Sequence, residues 1–334
     1  MKKKILILGS SSFSGASTVN YLLNKNSYQI FGTYRKKKRN CYLPYKYNKK
    51  KKNFKQYKID FLKNSKNLIN IIKKVRPEVI IDFASICMVN ESWKNSGTYF
   101  QINVLSKTKM IEFLSNSKFL KKYIYISTPE IFGSSKKYID EKSSLFSPQT
   151  PYATSKLSFE NLLKNYEKNF GFPLIISRFS NFYGPGQPLY RLIPKLINCV
   201  DYKKKFTLQG NGLSKRNFIF SNDFSSGIEK MILKGKIGKT YHFSGKKFYS
   251  VNDIIRNVCD LKSYDKKKLV KKIKSRVGQD FIYKLGSNMT MRELNWKPVY
   301  TLKKGLQEIM FYHKKYLNIF SKKDLLYQDK QLKK

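Results

Sequence analysis

Short runs of β-branched and aromatic residues alternate with helix-length segments through the first half of this chain. The predicted strands cover residues 4–8, 29–33, 56–59, 79–83, 123–127 and 174–177. The predicted helices cover residues 14–24, 64–75, 99–117 and 152–170. This alternation is typical of βαβ units, in which a helix connects each pair of parallel strands. We therefore expect an α/β fold built on a doubly wound parallel sheet.

After residue 178 the alternation gives way to shorter elements with more glycine and proline, which predicts a smaller and less regular C-terminal part. We place one domain at residues 1–177 and a second at residues 178–321, with some elements of the second able to return to the first sheet. The polar residues 322–334 are expected to form a frayed tail. The lysine-rich segment 36–55 is expected to be a solvated loop.

The 334 residues carry a formal net charge of +47, and such a charge can indicate a polyanionic partner, because basic surfaces release counterions from phosphates. Only nine of the 68 basic residues are arginines, however, and lysine is less suited to bidentate recognition of bases or phosphates. The chain is also rich in Asn, Ile, Tyr and Phe, which together with Lys are the residues that AT-rich codons favour. We therefore interpret the charge as compositional bias, with a nucleic-acid partner as the weaker interpretation.

The four cysteines have no paired spacing, and the chain has only two histidines, so we expect neither a metal site nor a disulfide framework. The apolar run at residues 5–8 is too short for a signal peptide and leads into a Gly/Ser loop. No segment approaches the roughly 18 apolar residues that a transmembrane helix needs. These features predict a cytoplasmic protein without membrane contact.

The first predicted strand ends in a glycine- and serine-rich turn that opens the first predicted helix. Its sequence is Gly9-Ser-Ser-Ser12-Phe13-Ser-Gly15. A dinucleotide pyrophosphate can bind at such a turn, on backbone N–H groups at the positive end of the helix dipole. The usual fingerprint has a third glycine where Ser12 stands, and serine is one of the smallest replacements. We assign these residues to an NAD(P) site in a Rossmann-type domain; a plain serine-rich turn is the alternative.

Further candidate cofactor contacts follow the next three predicted strands. Arg35 stands where an acidic residue would bind the ribose hydroxyls of NAD, and an arginine suits the extra phosphate of NADP, so NADP is favoured over NAD. Asp60 and Phe61 follow the third strand, where the carboxylate can accept from the adenine amino group. Ala84 follows the fourth, where a small side chain admits the cofactor. The alternatives are a basic loop, a helix cap and ordinary packing.

Tyr152 and Lys156 lie four residues apart in a predicted helix and therefore share a face. The charge of Lys156 is expected to lower the pKa of the Tyr152 phenol, about 10 in free tyrosine, so that it can take a proton from a hydroxyl. Thr128 and Glu130 follow the fifth strand, at the edge where open α/β sheets bind ligands. The hydroxyl can share the substrate proton, and the carboxylate can abstract a carbon-bound proton. A surface turn is the alternative.

Several segments, in order along residues 4 to about 307, carry a resemblance to a known family. Ser-Thr-Pro-Glu-Ile-Phe-Gly at 127–133 resembles Ser-Thr-Asp-Glu-Val-Tyr-Gly, and Pro-Tyr-Ala-Thr-Ser-Lys at 151–156 matches the tyrosine helix of the same family. Residues 178–185, 191–194, 216–219, 276–280 and 293–298 resemble its nucleotide-binding and closing segments. The family is that of the extended short-chain dehydrogenase/reductases that act on nucleotide sugars, and the chain most resembles the dTDP-glucose 4,6-dehydratases.

The resemblance implies which residues bind the two ligands. Lys156 would hold the nicotinamide ribose as well as tune Tyr152, and residues 1–177 would form the NAD(P)-binding domain. A nucleotide diphosphate sugar would bind the domain at 178–321 and contact Cys87, Asn181, Arg191, Leu192, Arg216 and Arg276. Arginines suit a buried diphosphate because the guanidinium is a rigid bidentate donor, although structural salt bridges are the alternative. The resemblance also implies a homodimer.

One departure from the family pattern bears on the reaction. Pro129 stands where the dTDP-glucose 4,6-dehydratases have an aspartate that protonates the leaving hydroxyl at sugar carbon 6. The GDP-mannose 4,6-dehydratases also lack this aspartate, keep the glutamate and favour NADP. The resemblance therefore implies a nucleotide-sugar 4,6-dehydratase that acts on an NDP-hexose through a 4-keto intermediate. A nucleotide-sugar 4-epimerase, which does not need Glu130, is the alternative. A non-catalytic NAD(P)-binding protein with a nucleic-acid partner is a more distant one.

Overall fold

The structure, a computed structural model, describes residues 2–63, 66–135, 137–273 and 284–316. The strands β1 to β14 are, in chain order, Lys3–Leu8, Tyr28–Tyr34, Phe54–Lys58, Val79–Asp82, Lys122–Ile126, Tyr138–Ile139, Leu174–Phe179, Asn181–Tyr183, Phe206–Gln209, Lys215–Phe220, Thr240–Phe243, Phe248–Ser250, Val270–Ile273 and Lys284–Leu285. The helices α1 to α12 are Phe13–Leu23, Lys66–Val75, Val89–Ser92, Ser96–Phe100, Ser106–Ser115, Pro151–Phe170, Leu192–Asp201, Ser221–Lys234, Val251–Leu261, Lys266–Leu269, Asn288–Leu294 and Leu302–Tyr316.

Seven parallel strands form the main sheet, in the order β11-β7-β5-β4-β1-β2-β3. Side chains of β1 alternate between its two faces, as a strand requires: Ile5 and Ile7 join the apolar cluster under α1 and α8, whereas Leu6 and Leu8 join the cluster under α2, α5 and α6. The strand order reverses between β1 and β4, which is where open α/β sheets bind their ligands. The fold therefore directs the search for a site to the carboxyl ends of these strands.

The predicted doubly wound fold is confirmed, and the six predicted strands agree with β1 to β5 and β7 to within two residues at each end. The predicted helix at 99–117 has a more complex form. It consists of α4, a π-helical turn at Gln101–Leu105 and α5. A π-turn inserts one extra residue per turn and so rotates the side chains that follow it.

The prediction that segment 36–55 is a solvated loop was wrong in part. Three short 3₁₀-helices occupy it, at Asn40–Tyr42, Pro44–Tyr47 and Lys51–Asn53. Its lysines are largely exposed, but Cys41 and Tyr45 are buried in the core. Tyr45 joins the apolar cluster under α1 and α8, and the Tyr312 hydroxyl on α12 donates to the Cys41 carbonyl oxygen at 2.8 Å.

The C-terminal half contributes to two different cores. β11 joins the edge of the main sheet beside β7, and α8 packs against α1. A third apolar cluster lies among α7, α9 and α12 together with β9 and β10. β7 runs through residue 179, past the predicted domain division at residue 177, and that division stays a prediction. The predicted tail, residues 322–334, lies outside the described part. Every helix in the described part is too short or too polar to cross a bilayer.

Candidate active site

The turn after β1 is built by close backbone approach. Gly9 has a φ of +74°, a left-handed conformation that favours glycine, and a Cβ on it would lie 3.1 Å from the backbone of Ala84 at the end of β4. A Cβ on Gly15 would lie 2.5 Å from the Gly9 carbonyl oxygen. The Ser12 hydroxyl accepts from the Gly15 N–H at 3.1 Å and so caps α1, which begins at Phe13. The predicted pyrophosphate turn thus needs its two glycines for steric reasons.

The other predicted cofactor residues follow the neighbouring strands. Thr33 in β2 accepts from the Gly9 N–H at 3.0 Å through its hydroxyl, so the exposed Arg35 lies just beyond the glycine turn along β2. Asp60 accepts at 3.1 Å from the backbone N–H two residues later and caps the turn after β3. Phe61 packs against the apolar cluster that α5 covers. This turn cap differs from the predicted alternative, a cap on the following helix, because the next helix, α2, begins at Lys66; the contact of Asp60 with adenine stays a prediction.

Helix α6 brings Tyr152 to the carboxyl edge of the sheet. Thr150 is its N-cap, with a hydroxyl that accepts from the Ala153 N–H at 3.1 Å, and Pro151 occupies the first helical position. Tyr152 therefore lies in the first turn. Its side chain is 8% exposed, and its ring makes an edge contact with that of Tyr99, with centroids 6.3 Å apart.

Lys156, one turn later, is buried against the end of β5. Its Nζ donates to the Ile126 carbonyl oxygen at 2.7 Å and lies 4.2 Å from the centroid of the Tyr125 ring. Burial lowers the pKa of Lys156 to about 7, and the nearby charge of Lys107 acts in the same direction. The ammonium is therefore fixed to the strand that leads to Thr128, while its predicted effect on the Tyr152 phenol stays a prediction.

Thr128 and Glu130 form a capped turn directly after β5. Thr128 caps the 3₁₀-helix Pro129–Phe132, and its Oγ1 accepts from the Glu130 N–H at 3.3 Å. Glu130 is partly buried, and burial raises its pKa to about 7, against the opposing charges of Arg216 and Arg191. A carboxyl group with a pKa near neutrality suits proton transfer at physiological pH.

Predicted substrate residues approach Glu130 from later elements. Arg191 is the N-cap residue of α7 and Arg216 lies on β10, and both are close enough to lower the pKa of Glu130. The Arg191 Nη2 is 3.9 Å from the Met88 sulfur, and Met88 is the neighbour of the exposed, free Cys87. The structure thus brings the carboxylate, the two arginines and the segment after β4 to one side of the fold.

The remaining predicted substrate contacts are less informative. Leu192 begins α7 and Asn181 begins β8, which pairs with β10. Arg276 lies outside the described residues. Within the described ranges, no group of three or more His, Cys, Asp and Glu side chains comes together to hold a metal ion.

The family model described as GDP-mannose 4,6 dehydratase matches residues 6–309. The chain belongs to this family of nucleotide-sugar dehydratases and epimerases. The dTDP-D-glucose 4,6-dehydratase of Dictyostelium discoideum is 34% identical over 277 residues, which cover 78% of this chain and 62% of that protein. The chain therefore spans less than two thirds of the length of this relative.

Two solved structures extend the likeness to nearly the whole chain. One is a dTDP-glucose 4,6-dehydratase from Bacillus anthracis in complex with NAD, with a TM-score of 0.84, 26% identity and coverage of 97% of this chain and 99% of that one. The other is a UDP-glucuronic acid 4-epimerase from Bacillus cereus in complex with UDP-glucuronic acid and NAD, with a TM-score of 0.82, 26% identity and coverage of 93% and 99%.

In this member of the dehydratase family, a buried amide that sequence reasoning missed lies beneath the site. Asn103 lies in the π-turn and is 1% exposed. Its Oδ1 accepts from the Ile86 N–H at 3.0 Å, and its Nδ2 donates to the Ser155 hydroxyl, also at 3.0 Å. Asn103 thereby ties the segment that bears Cys87 to helix α6. The π-turn that aims it has no simple sequence signature.

A second group that sequence reasoning missed surrounds Glu160, one turn after Lys156. Glu160 accepts from the Ser127 hydroxyl at 2.7 Å and from the Arg178 guanidinium, which also contacts His242 at 3.2 Å. Burial, followed by the charge of Arg178, lowers the pKa of His242 to about 3, so this histidine is neutral. The group fixes Ser127, and with it the start of the turn that bears Thr128 and Glu130, to α6 and β7. Arg178 lies in a segment that resembles the family, but its partners Glu160 and His242 are 18 and 64 residues away in the chain.

Proposed function

We propose that this chain is an NAD(P)-dependent nucleotide-sugar 4,6-dehydratase that acts on an NDP-hexose through a 4-keto intermediate. The observation that carries the proposal is Glu130, a partly buried carboxyl group with a pKa near 7 in the turn that Thr128 caps. A base at this position is needed for loss of water and not for epimerisation at carbon 4. The dehydratase relatives support the same interpretation.

The glycine turn fits a dinucleotide cofactor, since Gly9 and Gly15 have no space for a side chain and α1 begins directly behind them. NAD(P) held there would accept a hydride from carbon 4 of the sugar and return it to carbon 6. The two related structures are complexes with NAD. Arg35, exposed beyond the glycine turn, supports a preference for NADP in this chain.

The first proton transfer belongs to Tyr152. Its phenolate takes the proton of the carbon 4 hydroxyl as that carbon is oxidised, and the Thr128 hydroxyl shares this proton. The positive charge of Lys156 favours the phenolate. Because Lys156 is held by the Ile126 carbonyl oxygen, its ammonium is already in place when the substrate arrives.

The second proton transfer belongs to Glu130. The carbon 4 ketone acidifies the hydrogen on carbon 5, and the carboxylate takes it as a proton. The electron pair left on carbon 5 forms a double bond to carbon 6 and expels the carbon 6 hydroxyl. Glu130, now protonated, gives its proton to that hydroxyl, so that water leaves and the carboxylate is restored. Carbon 5 later regains a proton from solvent, and Tyr152 releases its own.

The substrate end of the site is basic. Arg191 and Arg216 approach Glu130 from α7 and β10, and we assign them to the diphosphate of the nucleotide sugar. Residues 1–177 would then hold the cofactor and residues 178–321 the nucleotide sugar. A homodimer completes the proposal and is tested by the mass of the protein in solution.

A 4-epimerase is the second candidate, and Pro129 favours it. Proline has no side-chain proton to give to a leaving hydroxyl, so the dehydration has to rely on Glu130 alone or on water. The likeness to the Bacillus cereus 4-epimerase is about as strong as that to the dehydratase.

Mass spectrometry of the products from a panel of nucleotide sugars separates the two candidates. A dehydratase product is lighter than its substrate by one water, whereas an epimerase product has an unchanged mass. A product of unchanged mass from every sugar that is turned over would replace the dehydratase proposal with the epimerase.

A further inference from the structure

A buried carboxylate at the end of β4 connects three parts of the proposed active site. Asp82 is 1% exposed, and its Oδ2 accepts from the Lys107 Nζ at 2.7 Å and from the Tyr123 hydroxyl at 2.8 Å. Its Oδ1 accepts from the Ala84 N–H at 2.9 Å. Asp82 therefore holds the turn that packs against Gly9, and it does so while paired with a lysine from α5.

Lys107 is as deeply buried as its partner, and it reaches the surroundings of Lys156. Its Nζ lies 6.0 Å from the centroid of the Tyr125 ring, the same ring that the Lys156 Nζ approaches to 4.2 Å. The two ammonium nitrogens are therefore at most about 10 Å apart. The Tyr125 hydroxyl donates to the Lys156 carbonyl oxygen at 3.2 Å, so the ring is fixed between the two lysines' helices.

Stability alone is a poor explanation for this pair. Removing two charges from water is costly, and well-packed apolar residues often stabilise a core at least as well as a buried ion pair. What the pair does provide is a fixed dipole near Lys156, in which the repulsion of Lys107 acts on the pKa of Lys156 more strongly than the attraction of Asp82. The ionisable groups that act on Lys156 are Lys107, Asp82 and Glu160 in the same interior and the exposed Cys87.

We propose that Asp82 and Lys107 are positioning residues of the active site, in which Asp82 orders the cofactor turn through Ala84 and Lys107 sets the electrostatic potential at the Lys156 ammonium. The inference rests on the proposed function together with the role that the family resemblance implies for Lys156, a hydrogen bond to the nicotinamide ribose of the cofactor. A protonated Lys156 makes this bond more strongly than a neutral amine does, because a charged donor forms the stronger hydrogen bond. Cofactor affinity should accordingly decrease as the pH rises through the pKa of Lys156, and Lys107 should determine where this decrease occurs.

The test is the affinity of the full chain for NAD, measured by isothermal titration calorimetry from pH 6 to 9.5. In Lys107→Met the repulsion is lost, so we expect the decrease in affinity to move to higher pH by about one unit, the effect of one charge about 10 Å away at an effective dielectric constant of about 20. Lys107→Arg keeps the charge and should leave the midpoint near that of the wild type.

Lys107→Met leaves Asp82 buried without its partner and can therefore misfold. A second variant controls for this effect. Asp82→Asn combined with Lys107→Met leaves no unpaired charge, and we expect a smaller shift in the same direction because the attraction of Asp82 is lost as well. Unshifted profiles in both variants, beside a normal wild-type profile, would overturn the inference and leave the proposed function intact. A wild-type protein that binds neither NAD nor NADP would overturn both.

Discussion

The proposed cofactor side and the proposed substrate side of this site are built by different means. The cofactor side is formed mainly by backbone, because Gly9 and Gly15 approach neighbouring main-chain atoms closely. The turn consists of seven consecutive residues. On the substrate side, long side chains converge from separate elements, with Glu130 after β5, Arg191 before α7 and Arg216 on β10.

The difference shows which features of a site can be varied. A turn defined by backbone contacts tolerates little change, because a single Cβ would collide with main-chain atoms. A cluster of side chains can exchange one group for another while the scaffold stays in place. The family contains both dehydratases and epimerases, and the residue at 129 lies on the variable side of this division.

The largest expected effect is a loss of turnover without a loss of cofactor affinity, on substitution of Tyr152. Tyr152→Phe removes the phenol that takes the carbon 4 proton, so we expect turnover to fall roughly 10²–10⁴-fold, the usual contribution of a general acid–base group. Cofactor affinity should stay within a few-fold of the wild type, because Lys156 keeps its contact with Ile126. Steady-state kinetics and calorimetry measure the two quantities.

Tyr166→Phe is the matched control, since Tyr166 lies near the far end of the same helix. It should leave both quantities unchanged. Activity of Tyr152→Phe within about tenfold of the wild type would remove Tyr152 from the proposed mechanism.

The next largest effect is expected on the substrate side, where Glu130 is the proposed base. Glu130→Gln should still oxidise carbon 4 and form the 4-keto sugar, but water loss and exchange of the carbon 5 hydrogen with deuterated solvent should decrease roughly 10²-fold or more. The exposed Glu112→Gln on α5 is the control. NMR of the sugar follows the exchange. Wild-type turnover without any exchange at carbon 5 would refute the dehydratase proposal.

The pH dependence of the same step follows from the raised pKa of Glu130. The carboxylate is the base, and burial makes about 7 the pH above which it predominates. The rate of carbon 5 exchange should therefore increase with pH up to about 7 and then level off. In Glu130→Gln this increase should be absent.

The two sides also differ in how far the sequence predicted them. The glycine turn, Tyr152 and Lys156 follow local patterns of strand, turn and helix, so the sequence predicted their places after β1 and on α6, while their roles stay predictions. The ion pair of Asp82 with Lys107 joins positions 25 residues apart, and nothing in a lysine-rich chain distinguishes the one lysine that is buried beside a carboxylate. Asn103 depends on a π-turn that has no simple periodicity.

The buried part of segment 36–55 was missed for a related reason. Lysines surround Cys41 and Tyr45 in the sequence, and their local pattern predicts exposure. Elements distant in the chain cover them: Tyr45 joins the apolar cluster under α1 and α8, and Tyr312 on α12, 271 residues from Cys41, bonds to its carbonyl oxygen. Long-range packing of this kind overrides local composition.

A substitution in the glycine turn tests the cofactor side. Gly15→Ala would place a Cβ 2.5 Å from the Gly9 carbonyl oxygen, so the turn has to shift. We expect cofactor affinity to fall about tenfold or more, or about 1.4 kcal/mol for each factor of ten. Gly97→Ala on α4 is the control, because its Cβ would meet no atom within 4 Å. Equal affinities in the two variants would show that the turn is not the cofactor site.

The next expected effect is a change in the preference between NADP and NAD, at Arg35 on the edge of the cofactor side. Arg35→Asp should lower affinity for NADP relative to NAD about tenfold or more, because it replaces a donor for the 2′-phosphate with a repelling carboxylate. Lys168→Asp, exposed on α6, changes the net charge equally and should leave the ratio unchanged. Identical ratios in wild type and Arg35→Asp would show that Arg35 does not contact this phosphate.

The smallest expected effect is the most informative about how the substrate side varies. Pro129 begins the 3₁₀-turn, fixes its own φ near about −65° and brings no proton donor. Pro129→Asp supplies an acid for the leaving hydroxyl in a turn that the Thr128 cap still holds, since that cap bonds to the Glu130 N–H. We expect water loss to be preserved or to increase a few-fold, with carbon 5 exchange unchanged because Glu130 remains the base. Pro129→Ala, which relaxes the backbone without adding an acid, separates the two effects. If both variants lose water equally fast, protonation of the leaving hydroxyl does not depend on residue 129, and Glu130 alone performs both proton transfers.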